Sequence, residues 1–190
     1  MSIRGNGTQV ILGAGKWYVD EWESGAVDLA TLCVEANIIG YTSGGATLEY
    51  STENYTIEDD IGMVRRTFKT KGNATMKTGL LTFDVSALSK LMSMGTLTET
   101  AATSSTVGKQ TLKLGGGKES LKKYAVGFVY EDDDTGEKIT VAMVATNTAG
   151  LTLAFTKDKE TVVDVEFTAE SNGVDDTIVV IEEETPATGT

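Results

Sequence analysis

Residues 122–146 read KKYAVGFVYEDDDTGEKITVAMVAT, two apolar alternations of period two joined by a turn signal. Tyr124, Val126, Phe128 and Tyr130 fall on one face of the first strand; Ile139, Val141, Met143 and Ala145 fall on one face of the second. The loop Asp132 to Gly136 has the acidic start and late glycine of a type I turn followed by a left-handed residue, so the two strands are expected to form a hairpin. A calcium loop is the functional rival. Asp132, Asp134 and Glu137 lack its spacing and length, which leaves a solvated turn.

The same pattern extends outward in both directions. Towards the C-terminus, GLTLAFT around Leu151 to Phe155, ETVVDVEFTAE with Val163, Val165 and Phe167 inward, and TIVVIEEE read as strands. Turn signals lie at Asn147 to Gly150, Lys157 to Lys159 and Asn172 to Asp176. Towards the N-terminus, ATLEYSTENYTI and GMVRRTFKTK flank EDDIG and form a long hairpin from Thr47 to Lys69, with GNATMKTGLLTF following at Lys71-Gly72-Asn73. Apolar parity slips between Leu48, Tyr50 and Tyr55, Ile57, which predicts either a bulge or a hairpin whose outer half leaves the sheet. The 29 threonines, with Val, Ile, Tyr and Phe, favour pleated surfaces throughout.

One helix interrupts the strands, over about residues 84–94, in DVSALSKLMSMG. Asp84 caps its first turn, Gly95 offers a left-handed stop, and Val85, Leu88, Leu91 and Met92 face the core while Ser86, Ser89 and Lys90 face out. Met92 and Met94 read as packing residues. TLTETAATSSTVGKQ, residues 96–110, then reads as a mobile polar linker. The expected class is mostly β: two packed antiparallel sheets, as a sandwich or barrel, flanked by this helix.

Composition narrows the chemistry. The 190 residues include no His, one Cys and one Pro, and 16 Lys plus Arg against 28 Asp plus Glu leave a formal charge of -12. Without His there are no His-based triads and few zinc or iron sites. Cys33, inside LATLCVEANII, reads as a buried and inert thiol, and no intrachain disulfide can form. GAGKW at 13–17 and GGGKE at 115–119 fail as phosphate loops, because Val10 and Leu112 stand where the first glycine belongs and Trp17 and Glu119 where a magnesium-binding hydroxyl belongs. Asp59 and Asp60 are adjacent, but no third group orients either as an acid or base. The Asn-x-Ser/Thr triplets at Asn6, Asn54 and Asn73 carry no meaning without secretion.

The first residues offer only the short apolar run Val10 to Leu12, too little for a signal-peptide core, and no apolar stretch approaches the ~20 residues of a membrane helix. Residues 96–190 carry most of the negative charge, 8 cations against 17 anions, net -9; residues 1–95 carry 8 against 11, net -3. Such a chain repels nucleic-acid phosphates rather than gripping them. The runs at 131–134 and 182–184 read as solvated faces.

Two longer stretches, NIIGYTSGGATLEYSTENYTIEDDIGMVRRTFKTKGNATMKTGLLTFDVSALSKLMSMG and YAVGFVYEDDDTGEKITVAMVATNTAGLTLAFTKDKETVVDVEFTAESN, together resemble the major tail tube proteins of long-tailed, siphovirus-like bacteriophages. The likeness is one of layout: a long hairpin, a strand ending in leucines and an acid, one helix, then a run of the form LxFxxD…VxFxAxxxG. Here that run is Leu153, Phe155, Asp158, Val165, Phe167, Ala169 and Gly173. It covers roughly residues 36–184, leaving 1–35 as an N-terminal arm with first strands and 185–190 as a tail.

The resemblance implies a virion protein, made in the host cytoplasm, that closes into rings of six and stacks them into a tube conducting double-stranded DNA. Its implied partners are further copies of itself, tail tip and tail terminator proteins, and a tape-measure protein inside the tube; no catalytic residue, metal, cofactor or membrane is implied. Tyr55, Ile57, Glu58, Asp59, Asp60, Arg65 and Arg66 become inter-ring contact candidates, and Glu49 and Glu53 lumen-lining candidates, with Glu131 and Glu137 behind them. Arg65, Arg66 and Lys69 must then face inward or pair with those acids between subunits, and pairing is favoured. The alternative is a self-assembling tube or capsid-associated β protein of another phage-like particle or secretion system. An enzyme or small-ligand binder is the remaining class.

Overall fold

The computed structural model describes residues 15–61, 63–81, 84–92, 95–115, 121–132, 135–148, 150–153, 155, 157 and 160–186. Met94, Asp134, Asp158, the second Gly-Lys motif apart from Gly115, and residues 1–14 and 187–190 lie outside them.

In chain order come β1 (Lys16–Glu21), the single turn α1 (Leu29–Leu32), β2 (Ile38–Glu58), β3 (Arg65–Leu80), helix α2 (Val85–Leu91), β4 (Thr96–Thr100), β5 (Lys109–Lys113), β6 (Tyr124–Glu131), β7 (Lys138–Asn147), β8 (Val163–Ala169) and β9 (Val180–Glu184). Seven strands hydrogen-bond in the order β6-β1-β2-β3-β8-β7-β9, and β6 also pairs with β7. That extra ladder, Tyr124↔Ala145 through Glu131↔Lys138, closes six antiparallel strands into a barrel and makes β6–β7 the expected hairpin. Its turn is held by Gly136 N–H on the Asp132 carbonyl at 2.8 Å and Thr135 N–H on the Asp132 carboxylate at 2.9 Å, with Gly136 at φ 70. β8 shares one side of β7 with β9: Ala145–Asn147 meets β8, and Lys138–Ala142 meets β9.

The barrel interior is filled by alternating residues from its strands, among them Trp17, Val19, Ile39, Met76, Leu80, Val126, Met143, Val165 and Phe167. Trp17 stacks on Phe167 with centroids 5.9 Å apart and tilts against Phe128 at 6.1 Å. Leu88 and Leu91 of α2 join this cluster, and the Asn147 amide donates a buried 2.6 Å bond to the Leu91 carbonyl. That bond satisfies one of the helix's orphan carbonyls and ties its end to β7. On the outside of β1, β6 and β7, Tyr18, Ala125 and Ala142 pack under Leu32, with Trp22, Val27, Leu29 and Ile38 alongside. The segment 22–38 thus covers one outer face.

Several expectations change. Asp84 caps α2 as expected, its carboxylate accepting from Ala87 N–H at 2.6 Å, but the helix ends at Leu91 with Met92 as its cap. Gly95 is not left-handed; its role is space, since a Cβ there would lie 2.8 Å from Leu112 Cδ1. Residues 96–110 are not a mobile linker: β4 and β5 pair from Thr96↔Lys113 to Thr100↔Lys109, with Leu97 opposite Leu112 and Thr103 closing the turn onto Thr106. The β-branched threonines outweigh the low apolar content.

The described residues between 150 and 155 form no strand. At Ala145 both sides of β7 are already bonded, to β6 and to β8, so this segment finds no ladder there. Leu151 and Leu153 still pack on the core, whereas Phe155 is 80% exposed. β3 continues through Lys71–Asn73 without a break. Cys33 belongs to the outer cluster and is only half-buried.

The two phenylalanines of one sequence run therefore differ in kind. Phe167→Ala should cost about 3–5 kcal/mol by leaving a cavity beside Trp17, and Phe155→Ala less than about 0.5 kcal/mol. Urea unfolding of both variants measures the contrast.

Candidate functional site

The long hairpin is built in two halves. Its inner half lies in the barrel wall, where Leu48 faces the core opposite Met76 and β3 bonds to β8 from Thr75 to Leu80. Gly44 and Gly45, both at φ 80, are two extra residues on β2 between Ser43 and Ala46, a conformation that glycine alone adopts cheaply. A second irregularity puts one extra residue, Thr70, on β3, because Glu53 faces Lys71 but Asn54 faces Lys69. The Thr70 hydroxyl closes the gap by donating to the Glu53 carbonyl at 2.9 Å. Both halves of the parity expectation hold: there is a bulge, and beyond it β2 and β3 pair, among the described residues, only with each other.

This outer half is an arm of five residue pairs, about 17 Å long at ~3.4 Å per residue. Tyr55 lies opposite Phe68 and Ile57 opposite Arg66, which places these four on one face. Asn54 with Lys69, Thr56 with Thr67 and Glu58 with Arg65 form the other, where the two threonine hydroxyls sit 3.0 Å apart. The tip is closed by Asp59, whose N–H donates to the Val64 carbonyl at 3.1 Å while its carboxylate accepts from Val64 N–H at 2.9 Å. Asp59 is thus a turn-forming residue, with exposed Asp60 beside it. Tyr55, Ile57 and Phe68 are about half exposed, and Ile61 and Met63 at the tip are 79% and 82% exposed. So much apolar surface on one projection is a mark of an interaction site.

Glu49 and Glu53 point away from the core, on the face opposite Leu48. Lys77 Nζ stands 3.6 Å from both Glu49 and Glu166, and the Asn73 amide donates to Glu53 at 3.4 Å. These contacts are solvent-exposed and each is worth about 0–1 kcal/mol. Neither Arg65 nor Arg66 is the partner of these acids within the chain. Lys69 instead donates to the Tyr50 hydroxyl at 2.7 Å and lies over its ring.

A second feature is a groove of about 1350 Å³ on the outer face of β1, β6, β7 and β9, bordered by α1. Asp28, Glu131, Asp132, Glu182 and Glu184 line it against Lys16 and Lys138. Glu131 pairs with Lys138 at 3.4 Å and Asp28 caps α1 through Ala30 N–H at 3.0 Å. Cys33 lies in its wall, where burial, and then the nearby Glu184 and Glu182 charges, push its thiol pKa upward. Glu137, the weaker lumen candidate, sits with Glu131 at the β6–β7 turn.

Among the described residues no group of three His, Cys, Asp or Glu side chains gathers to hold a metal, and no helix is long and apolar enough to cross a membrane. β1 lies in the segment 1–35 expected to hold the first strands, though its residues KWYVDE were not singled out; two contributors escape the sequence, Asn147, which lies in a turn signal, and β9 as the last strand of the sheet. No protein-family model matches the chain, and no curated protein matches it.

The position of β9 over Cys33 has a chemical readout. Removing carboxylate charge lowers the thiol's pKa and enlarges its reactive thiolate fraction. Glu182→Gln/Glu184→Gln should therefore react faster than the parent with a thiol-specific reagent at pH 8 and low salt, the difference shrinking as salt rises.

Proposed function

We propose that this chain is the structural subunit of a bacteriophage tail tube, stacking as rings, six copies to each, into a conduit for DNA. The arm carries the reading: a two-stranded projection with Tyr55, Ile57, Ile61, Met63, Val64 and Phe68 in water is surface that another copy can bury. In this reading the arm reaches the next ring, and Glu58, Asp60, Arg65 and Arg66 give the apolar contact a charged rim. The β2–β3–β8 face bearing Glu49, Glu53, Glu166 and Lys77 lines the passage. Repeated around a ring, a modest excess of carboxylates becomes a field that keeps the phosphate backbone sliding. The protein works by assembly and not by catalysis, in a virion, alongside tail tip, terminator and tape-measure proteins.

The directly opposed pair Glu53↔Lys71 allows a clean deletion of the arm. Replacing residues 54–70 by Asn-Gly, a two-residue hairpin turn, should leave circular dichroism unchanged in character while electron microscopy finds isolated rings or monomers in place of tubes. Normal tubes from this variant would overturn the arm's role; a parent protein that forms no tubes would overturn the reading itself.

The lumen has its own test. Glu49→Lys/Glu53→Lys should fold and assemble, yet its tubes should retain double-stranded DNA at low salt and release it as salt rises. Tubes that pass DNA as freely as the parent remove these two residues from the channel wall.

A further inference from the structure

We infer that residues 8–12 of this chain lie in the acidic groove beside α1, as an intramolecular strap across β6, β7 and β9 that covers Cys33. The contact lies within one chain and does not depend on the tail-tube reading. The groove runs across strands: Tyr18 of β1, Val129 of β6, Thr140 of β7 and Val180 of β9 line it in turn. Its surface is partly apolar, since Val27, Leu29, Val129 and Val180 are half-buried there. An aliphatic segment laid on them removes that surface from water.

The chain meets the groove at Gly15. This residue lines it, donates its N–H to the Thr42 hydroxyl at 3.3 Å, and passes so close to β6 that a Cβ would lie 2.5 Å from the Phe128 ring and from the Val129 carbonyl oxygen. The segment before Gly15 therefore starts from the β1 side of the groove. The neighbours β1–β6, β6–β7 and β7–β9 make three strand spacings to the far side, about 14 Å at ~4.8 Å each. At ~3.3 Å per extended residue, Val10, Ile11 and Leu12 reach about 10–17 Å from Gly15, over β7 and β9.

Composition matches this segment to the groove. TQVIL, residues 8–12, holds the apolar run of 1–14, Arg4 is the one charged side chain there, and the first carboxylate of the sequence is Asp20. The described lining carries Asp28, Glu131, Asp132, Glu182 and Glu184 against Lys16 and Lys138, five acids to two lysines, net -3. A segment without acids enters such a field where acidic ones are repelled. The competitors fit less well: ATGT, residues 187–190, has no side chain larger than threonine, and the arm brings Glu58, Asp59 and Asp60.

The test reads Cys33, which lines the groove and is the sole cysteine. Val10→Ser/Ile11→Ser/Leu12→Ser in the full chain should raise the rate of Cys33 alkylation by N-ethylmaleimide, a neutral reagent, by about tenfold, because a covered thiol reacts only through local opening. In separate variants, Val10→Cys, Ile11→Cys and Leu12→Cys are oxidised with diamide in dilute solution. At least one should form a disulfide to Cys33 within the chain, located by mass spectrometry, and Ile61→Cys at the arm tip should not. Circular dichroism checks that each variant keeps the parent fold. An unchanged alkylation rate with no such disulfide overturns the strap. So does a link formed only between two chains, which makes a second copy the occupant, or a link from Thr188→Cys in its place, which makes the tail the occupant. None of these outcomes touches the tail-tube reading, whose own test is assembly.

Discussion

β6 is hydrogen-bonded along both sides, to β1 through Lys16↔Val129 to Glu21↔Tyr124 and to β7 through its whole length. This double pairing turns an open sheet into a barrel. It removes two edges at once and gives the interior residues of six strands a common space, where Trp17, Met76 and Phe167 are fully buried. Strand pairing here decides where apolar surface can go. What the barrel cannot absorb is displaced to the arm, to the β4–β5 hairpin and to the outer side of β9.

An isolated two-stranded ribbon is marginal in water. The arm compensates locally, with the Tyr55–Phe68 pair, the Thr56–Thr67 hydroxyl contact, the Asp59 closure and the Thr70 bond across the bulge. None of these buries its apolar face. On β9 a different device appears: three consecutive glutamates deter chance pairing with other strands. The arm leaves apolar surface in water, whereas the β9 edge carries charge.

The sequence made the local elements plain wherever a two-residue period was strong and bounded. The β6–β7 hairpin, β8 with Val163, Val165 and Phe167 inward, the long hairpin and the Asp84-capped helix all follow from nearest-neighbour patterns. Elements decided by distant partners were not legible. Leu151 and Phe155 alternate as well as Val163 and Val165 do, yet the strand they would extend is already paired on both sides. Thr96–Thr100 and Lys109–Lys113 look like linker by hydropathy and become a hairpin because Leu97 meets Leu112 beside α2. For the site, the parity slip foretold the arm, and the acids and arginines could be named from their run. That Glu49 would share Lys77 with Glu166 of β8 depends on a contact between residues far apart in the chain.

The closure through β6 also fixes an order of events during folding. The β2–β3 and β6–β7 hairpins can form as soon as their own residues exist, whereas the β1–β6 ladder joins Lys16 to Val129 and the β3–β8 ladder joins Thr75 to Thr168. Contacts of such long sequence separation form slowly because loop closure comes first. During synthesis at about 5–20 residues per second, β1 waits several seconds for its partner, with Trp17 and Val19 uncovered. The arm, by contrast, emerges early and complete. The nascent chain therefore displays the exposed apolar face of the arm before its core is sealed, and the rate at which β6 and β8 arrive sets how long closure competes with contacts between unfinished chains.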